Sequence, residues 1–398
     1  MRRLTGALQA CLIGLLAIGG ERPCAAQAAQ GTEPTGLAAE DSAVPLLPAR
    51  WIWQQSRLRR AKHDSARFVT HLGRPSLRVT DGFSYATGVA LRNGTLEADV
   101  AADSQGAFFG LAFHVASPDA YEVIFFRPHN PDATVQYAPS FLQMNAWQLF
   151  PGPEYNAAPD FPQDRWVHLR VVIKGLVASL YFDTVSAPVI EVHDLPLGSD
   201  AGTIGFWGRG GGGYISNIHY RPDSATYQLT RVHTFAKGAI TEGWSLSQAL
   251  PVADATPDVY PSGRALHWDP VHAEREGLVL IGRYRQDPNV EPEHPAPDRA
   301  VGWSPESQVV FARTTVVADR DEVRRMWIGY SDDVVVYLNG HPLYEGRNSM
   351  GFRDPHDLGY IYPFADAVFL PLKKGKNELL LAVTESTAGW GFTCRLDP

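Results

Sequence analysis

The chain has 398 residues, 44% hydrophobic and 11% aromatic, with 35 basic against 43 acidic side chains and a formal net charge of −8. That length is enough for two domains, each with its own core. The acidic balance argues against nucleic acid as a partner, and the short basic stretch Arg57 to Lys62 reads as a solvated surface.

Met1-Arg2-Arg3 followed by an apolar stretch at 7–18 has the charge and length of a secretory leader. A stretch of about a dozen apolar residues is short of the roughly 20 that span a bilayer. Small residues follow, and cleavage after Ala26 or Ala28 fits. Glu21-Arg22-Pro23 ahead of Cys24 does not suit a lipobox. The reading is a signal peptide at 1–28, a secreted or periplasmic destination and no membrane span. Of Cys11, Cys24 and Cys394 only the last would remain, so no intramolecular disulfide can form. Residues 29–50 are Ala, Gly, Pro and acidic residues without periodicity, which predicts a disordered tether.

Trp51-Ile52-Trp53 opens the first folded block, expected over 51–222. Gly94-Thr95-Leu96-Glu97-Ala98-Asp99-Val100 alternates as a half-exposed strand does, and residues 108–115 are nearly all apolar, as in a buried one. Another strand follows at 121–126. The segment 127–164, rich in Pro, Asn, Asp and Gly, predicts a long loop. Strands resume at 166–173, 177–182, 189–193, 203–207 and 214–220, and Gly208-Arg209-Gly210-Gly211-Gly212-Gly213 predicts a hairpin turn between the last two. That run is no phosphate loop, since it lacks the Gly-Lys-Ser/Thr ending and leads into a strand.

The second block is expected over 223–398, with strands at 227–235, 244–250 and 277–284, a mobile Pro-rich loop at 285–305, and strands at 309–317, 325–330, 334–338, 367–370 and 378–384. Asn339-Gly340 is a strong hairpin signal, because both central positions of a type I′ turn need φ > 0. No segment has a helical period. The fold class is therefore all-β, with two β-sandwich (jelly-roll) domains in tandem.

Residues 71–79, 94–100, Phe109-Gly110-Leu111-Ala112-Phe113, Tyr121-Glu122-Val123, 166–172 and Gly202-Thr203-Ile204-Gly205-Phe206 resemble a laminin-G/concanavalin A-like jelly roll over about 60–222. The same stretch is similar to the 3-keto-disaccharide hydrolase domain. Trp327-Ile328-Gly329-Tyr330, the 334–340 run and Lys376-Asn377-Glu378-Leu379-Leu380-Leu381 resemble a galactose-binding-like β-sandwich. These resemblances imply a fold and, through it, carbohydrate recognition, but no active site.

Long loops on β scaffolds are where such proteins carry function. The residues singled out for ligand binding are therefore Arg127, His129, Asn130, Gln136, Tyr137, Trp147 and Tyr155. Arg127, Asn130 and Gln136 would bond sugar hydroxyls, and the aromatic faces would stack on a pyranose. Glu97 and Asp99 are similar to the start of the Glu-x-Asp-x-x-Glu strand of family-16 glycoside hydrolases, but Ala101 and Ala102 follow, so the second carboxylate is missing. The pair reads as two solvated strand carboxylates. Asp332-Asp333 and Arg353-Asp354-Pro355-His356-Asp357 offer oxygen ligands in turns, of the kind a structural calcium takes; no other cofactor is expected. The histidines lack any zinc spacing. The sequence therefore reads as an exported glycan- or oligosaccharide-binding protein without a complete catalytic set. A hydrolase or lyase acting on keto-sugars, and an adhesion module with no small ligand, are the alternatives.

Overall fold

The computed structural model describes residues 41–398 apart from 56–65, 103, 105, 131, 142–143, 146–150, 210, 230–234, 275–276, 286–306, 355–356, 364 and 386–388. The expected leader, residues 29–40 of the tether and all but the first residue of the loop at 285–305 lie outside them.

The first half carries β1 (Ser42–Ala43), β2 (Trp51–Gln55), β3 (Ala66–His71), β4 (Arg74–Val79), β5 (Gly82–Ala86), β6 (Gly94–Ala102), β7 (Phe108–Ser117) and β8 (Ala120–Phe126). It continues with β9 (Val135–Phe141), β10 (Met144–Asn145), β11 (Asn156–Ala157), β12 (Val167–Lys174), β13 (Val177–Phe182), β14 (Ile190–His193), β15 (Thr203–Arg209) and β16 (Gly213–Pro222). They form two antiparallel sheets. Sheet A runs β14-β13-β12-β6-β16-β4-β3, with β1 also on β16; sheet B runs β10-β9-β8-β7-β15-β5-β2, with β11 on β9.

Period-two sequence makes one face of each sheet apolar, and the two apolar faces close on one core. In β12 Val167, Leu169, Val171 and Ile173 are buried while His168, Arg170 and Val172 are half-exposed. From sheet B, Phe109, Leu111, Ile124, Phe126, Val135 and Tyr137 meet them. The second half pairs a seven-stranded sheet, built on Gln308–Ala318 and Gly375–Glu385, with a four-stranded sheet of Leu278–Leu280, Gly391–Leu396, Glu322–Ser331 and Asp366–Leu372. Trp244, Val310 and Leu381 pack there against Met326, Leu370 and Phe392. Asn339 (φ 50°) and Gly340 (φ 81°) make the expected turn, closing Leu338 onto His341. The protein is all-β and built of antiparallel sandwiches.

Several expectations need correction. The tether does not extend through 41–50. β1 pairs Ser42 with Tyr220 and Ala43 with His219, and Val44 is 6% exposed within the core. The free edge of β16 supplies backbone partners that no composition reveals. The loop expected at 127–164 contains β9, a full strand of sheet B paired along its length to β8. Pro139 hid it. It is tolerated because it lies between the short partners β10 and β11, at a stretch of edge where neither pairs. The glycine run is not a hairpin turn either. It joins β15 in sheet B to β16 in sheet A, and so turns a corner between layers. The strand expected at 227–235 is absent among its described residues, and 277–284 splits into a short strand and a single helical turn, Ile281–Tyr284.

Candidate functional site

The residues singled out in the 127–164 segment are mostly structural. Tyr137 is fully buried in the core, donates to Glu122 Oε2 at 2.5 Å and lies 6.0 Å from the ring of Tyr155, itself 8% exposed. Burial pushes the Tyr137 hydroxyl well above its usual pKa, with Glu122 adding to the shift. Neither ring can stack on a sugar. Asn130 spends its side-chain oxygen on the backbone N–H groups of Asp132 and Ala133, an Asx turn. Arg127 and Gln136 do come together: Nη2 donates to Oε1 at 2.5 Å. Both are buried, however, and Arg127 also bonds Tyr360 of the second half and lies over Phe108 and Phe125. His129 is exposed beside Phe108. Trp147 lies outside the described residues.

The reason is that the outer face of sheet B is covered. Phe83, Tyr121, Val123 and Phe125 point away from the main core and pack with Tyr360 and Leu358, from the connection that follows strand His341–Arg347. Tyr360 also donates to Asn156 Oδ1 at 3.0 Å.

The outer face of sheet A carries the polar and aromatic side chains instead. The tip of the β3–β4 hairpin is a two-residue turn with Leu72 at φ 45° and Gly73 at φ 76°, which sets His71 directly opposite Arg74. A β-bulge in β16 between Ser216 and His219, with Asn217 at φ 49°, shifts its pairing with β6. On its other edge β16 pairs first with β4 and then with β1, and a cleft of about 530 Å³ opens where one partner ends and the other begins. Asp99 of β6 lies in that cleft, with Arg74, Asn217 and His219.

Asp99 is 6% exposed and three groups converge on it. Arg74 Nη1 reaches Oδ2 at 2.5 Å, Asn217 Nδ2 reaches Oδ2 at 3.2 Å, and His168 Nδ1 stands 2.8 Å from Oδ1. Asp99 thus orients a guanidinium, an amide and an imidazole that are themselves exposed or half-exposed. Rings lie beside them. His71 stacks on Tyr214 at 3.6 Å and meets Trp166 edge-on at 5.6 Å, while Arg74 sits 5.8 Å from the Trp166 ring. The buried Nε1 of Trp166 has no hydrogen-bond partner among the described residues.

Asp99 is therefore no solvated strand carboxylate. Its partners Arg74, Trp166 and His168 occur in the sequence only as members of strands. The signal was the alternation His168-Leu169-Arg170 and Arg74 to Arg78, which marks an outward polar row but not which strands lie side by side. Of the turns offered for calcium, 355–356 lie outside the described residues. Asp332 and Asp333 are fully buried, and Asp357 accepts from the Gly359 backbone. Among the described residues no group of three or more His, Cys, Asp or Glu stands close enough to hold a metal ion. In the second half Asp366 gathers Tyr330 at 2.7 Å, Tyr344 at 2.9 Å and Arg353. This network ties strands Glu322–Ser331, His341–Arg347 and Asp366–Leu372 together.

No protein-family model matches the chain, and no curated protein does. Among solved structures it is similar to the carbohydrate-binding module CBM66 from Bacillus subtilis, at 13% identity and a TM-score of 0.33, over 42% of this chain and 92% of that one. A putative glycosyl hydrolase from Parabacteroides distasonis matches at 11% identity and a TM-score of 0.30, over 46% and 100% of the two chains. Domain 4 of the extracellular arabinanase AbnA from Geobacillus stearothermophilus, solved with arabinotriose, matches at 13% and 0.29, over 43% and 82%. Identity and TM-score are low throughout, so function has to be argued from the side chains of this chain.

Proposed function

We propose that the protein is an exported glycan-binding protein whose site is the outer face of sheet A, centred on the Asp99 cleft. The observation that carries this is the convergence of Arg74, His168 and Asn217 on Asp99 beside the Trp166 ring. A pyranose presents neighbouring hydroxyls, each donor and acceptor, around an apolar C–H face. Fixed planar polar groups next to a half-buried ring match both features.

The test uses protein recovered from outside the cytoplasm, with its N-terminus expected at Gln27 or Ala29. On a glycan array Arg74→Ala should lose about tenfold or more of the wild-type signal, the scale of one charge-assisted hydrogen bond. Asp99 keeps Asn217 and His168 as partners in the variant, and a melting curve taken alongside separates a lost glycan contact from a lost fold. Undiminished binding would place the site elsewhere. One observation favours turnover as a second reading. Asp99 fixes the His168 ring through Nδ1, as a carboxylate does for a general base. Release of reducing sugar by the wild type and not by His168→Gln would establish it; binding without release would exclude it.

A further inference from the structure

We infer that His219 is a positioning residue of this face. In its doubly protonated form it holds the Asn217 amide with one ring nitrogen and the β1 wall of the cleft with the other, so glycan binding tightens as pH falls. The inference rests on the glycan reading above.

The cleft has two walls. Arg74, Asp99 and Asn217 belong to one, and Ala43, Val44 and Leu46 to the other. The second wall is lightly held. β1 pairs only Ser42 with Tyr220 and Ala43 with His219, and just beyond it the Val44 N–H donates to the Ile218 carbonyl at 2.8 Å. Farther on, Trp51 Nε1 donates to the Pro45 carbonyl at 3.0 Å. So short a strand has little stability of its own. At its leading end the side-chain tie is Asp41 Oδ2, which stands 3.3 Å from His219 Nδ1.

The roles of the atoms follow from what each can do. Asn217 Nδ2 donates to Asp99 Oδ2 at 3.2 Å, because a carboxylate paired with Arg74 can only accept. That turns the Asn217 amide oxygen toward His219, whose Nε2 lies 3.2 Å away. An amide oxygen also only accepts, so Nε2 must carry a proton. Nδ1 faces the Asp41 carboxylate and must carry one too. Both contacts exist together only in the imidazolium. The neutral ring has one bare nitrogen facing an oxygen, and either the β1 wall or the Asn217 amide is released. His168 differs. It meets Asp99 through Nδ1 alone, and a neutral ring with its proton on Nδ1 keeps that contact.

The surroundings agree. His219 has Asp41 on one flank and Glu97 directly opposite on β6. Arg170 faces Glu97 from the far side, Arg221 lies two residues along β16 opposite Thr95, and Arg74 and Asp99 of the cleft pair with each other. An imidazole changes charge between about pH 5 and 8, so this contact is lost within that range as pH rises.

The experiment reads the full chain on an array of neutral glycans, whose own charge does not change, at pH 5.5 and 7.5. The wild type should bind about two- to fivefold more tightly at the lower pH, the scale of one exposed ion pair. Hydrogen exchange at the Val44 amide, corrected for its intrinsic pH dependence, should be slower there as well. His219→Gln should bind equally at both values. Asp41→Asn should hold at pH 7.5 the signal that the wild type shows at 5.5, because its amide can donate to a bare Nδ1. Melting curves at both values report folding. Equal wild-type signal at the two values overturns the inference and leaves the glycan reading standing. A pH dependence that persists in His219→Gln assigns it to His168 and also overturns the inference. Signal on no glycan at either pH removes the glycan reading itself.

Discussion

His114 shows how a single side chain ties the fold to pH. It lies at φ 48° near the end of β7, 5% exposed, with Nε2 2.7 Å from the Arg92 carbonyl. Burial lowers its pKa below 6.5, and the carbonyl only partly restores it. The unfolded chain therefore takes up a proton below pH 6.5 that the folded chain refuses. Stability is unaffected by this group above that pH and falls as pH drops from 6.5 toward the depressed folded value, by up to about 1.4 kcal/mol per pH unit for one proton. Urea unfolding at pH 7.5 and 5.5 should show this loss, and His114→Gln should reduce it. An unchanged pH dependence in the variant would assign the loss to other groups. Asp99 makes a related point. Its place in the strand was legible as the outward partner of Glu97, but its burial was not, because that depends on an arginine 25 residues before it and a histidine 69 residues after.

At the scale of elements, the corner between β15 and β16 is the most demanding. Gly212 has φ 69°, and a Cβ there would stand 1.8 Å from the Val79 carbonyl oxygen, a backbone atom that cannot move aside. Gly212→Ala should therefore destabilise by about 2 kcal/mol or more. Gly106→Ala, with nothing within 4 Å, should be close to neutral. Equal melting temperatures for the two would contradict the corner. The glycine run was plain in the sequence, but a hairpin and a corner between layers ask for the same residues, so composition does not tell them apart. Strand β9 failed for a different reason. Pro139 and the polar residues around it read as loop, and only the positions of β10 and β11 show why a proline fits there.

Over the whole molecule, the two halves share a seam. Leu278, Leu280 and Ile361 of the second half join the first core, and Tyr360 covers the aromatic outer face of sheet B. Arg283 reaches from the second half to the Pro196 carbonyl at 3.0 Å. Removing the Tyr360 side chain deletes a ring that is 8% exposed and its bonds to Asn156 and Arg127. Tyr360→Ala should cost about 3–5 kcal/mol by the usual scale for buried aromatics. It should also raise the binding of a hydrophobic dye at Tyr121 and Phe125, and in calorimetry the one unfolding transition of the wild type is expected to separate into two. A variant that melts as the wild type does and binds no dye would show that the seam contributes little. The covered face also explains why ligand recognition is sought on sheet A, although the residues first singled out lie on and around sheet B.

The sequence by itself determined the all-β class, most strand positions, the Asn339-Gly340 turn and the alternation along β6, because each of these is written in residues close together along the chain. Only the tertiary structure decided which rows become neighbours, which face is sealed and which stays open. Strand order brings Arg74, Asp99, Trp166, His168 and Asn217 to one place, and the fold of the second half over sheet B closes the other. Both depend on pairings between distant segments, which local pattern does not encode.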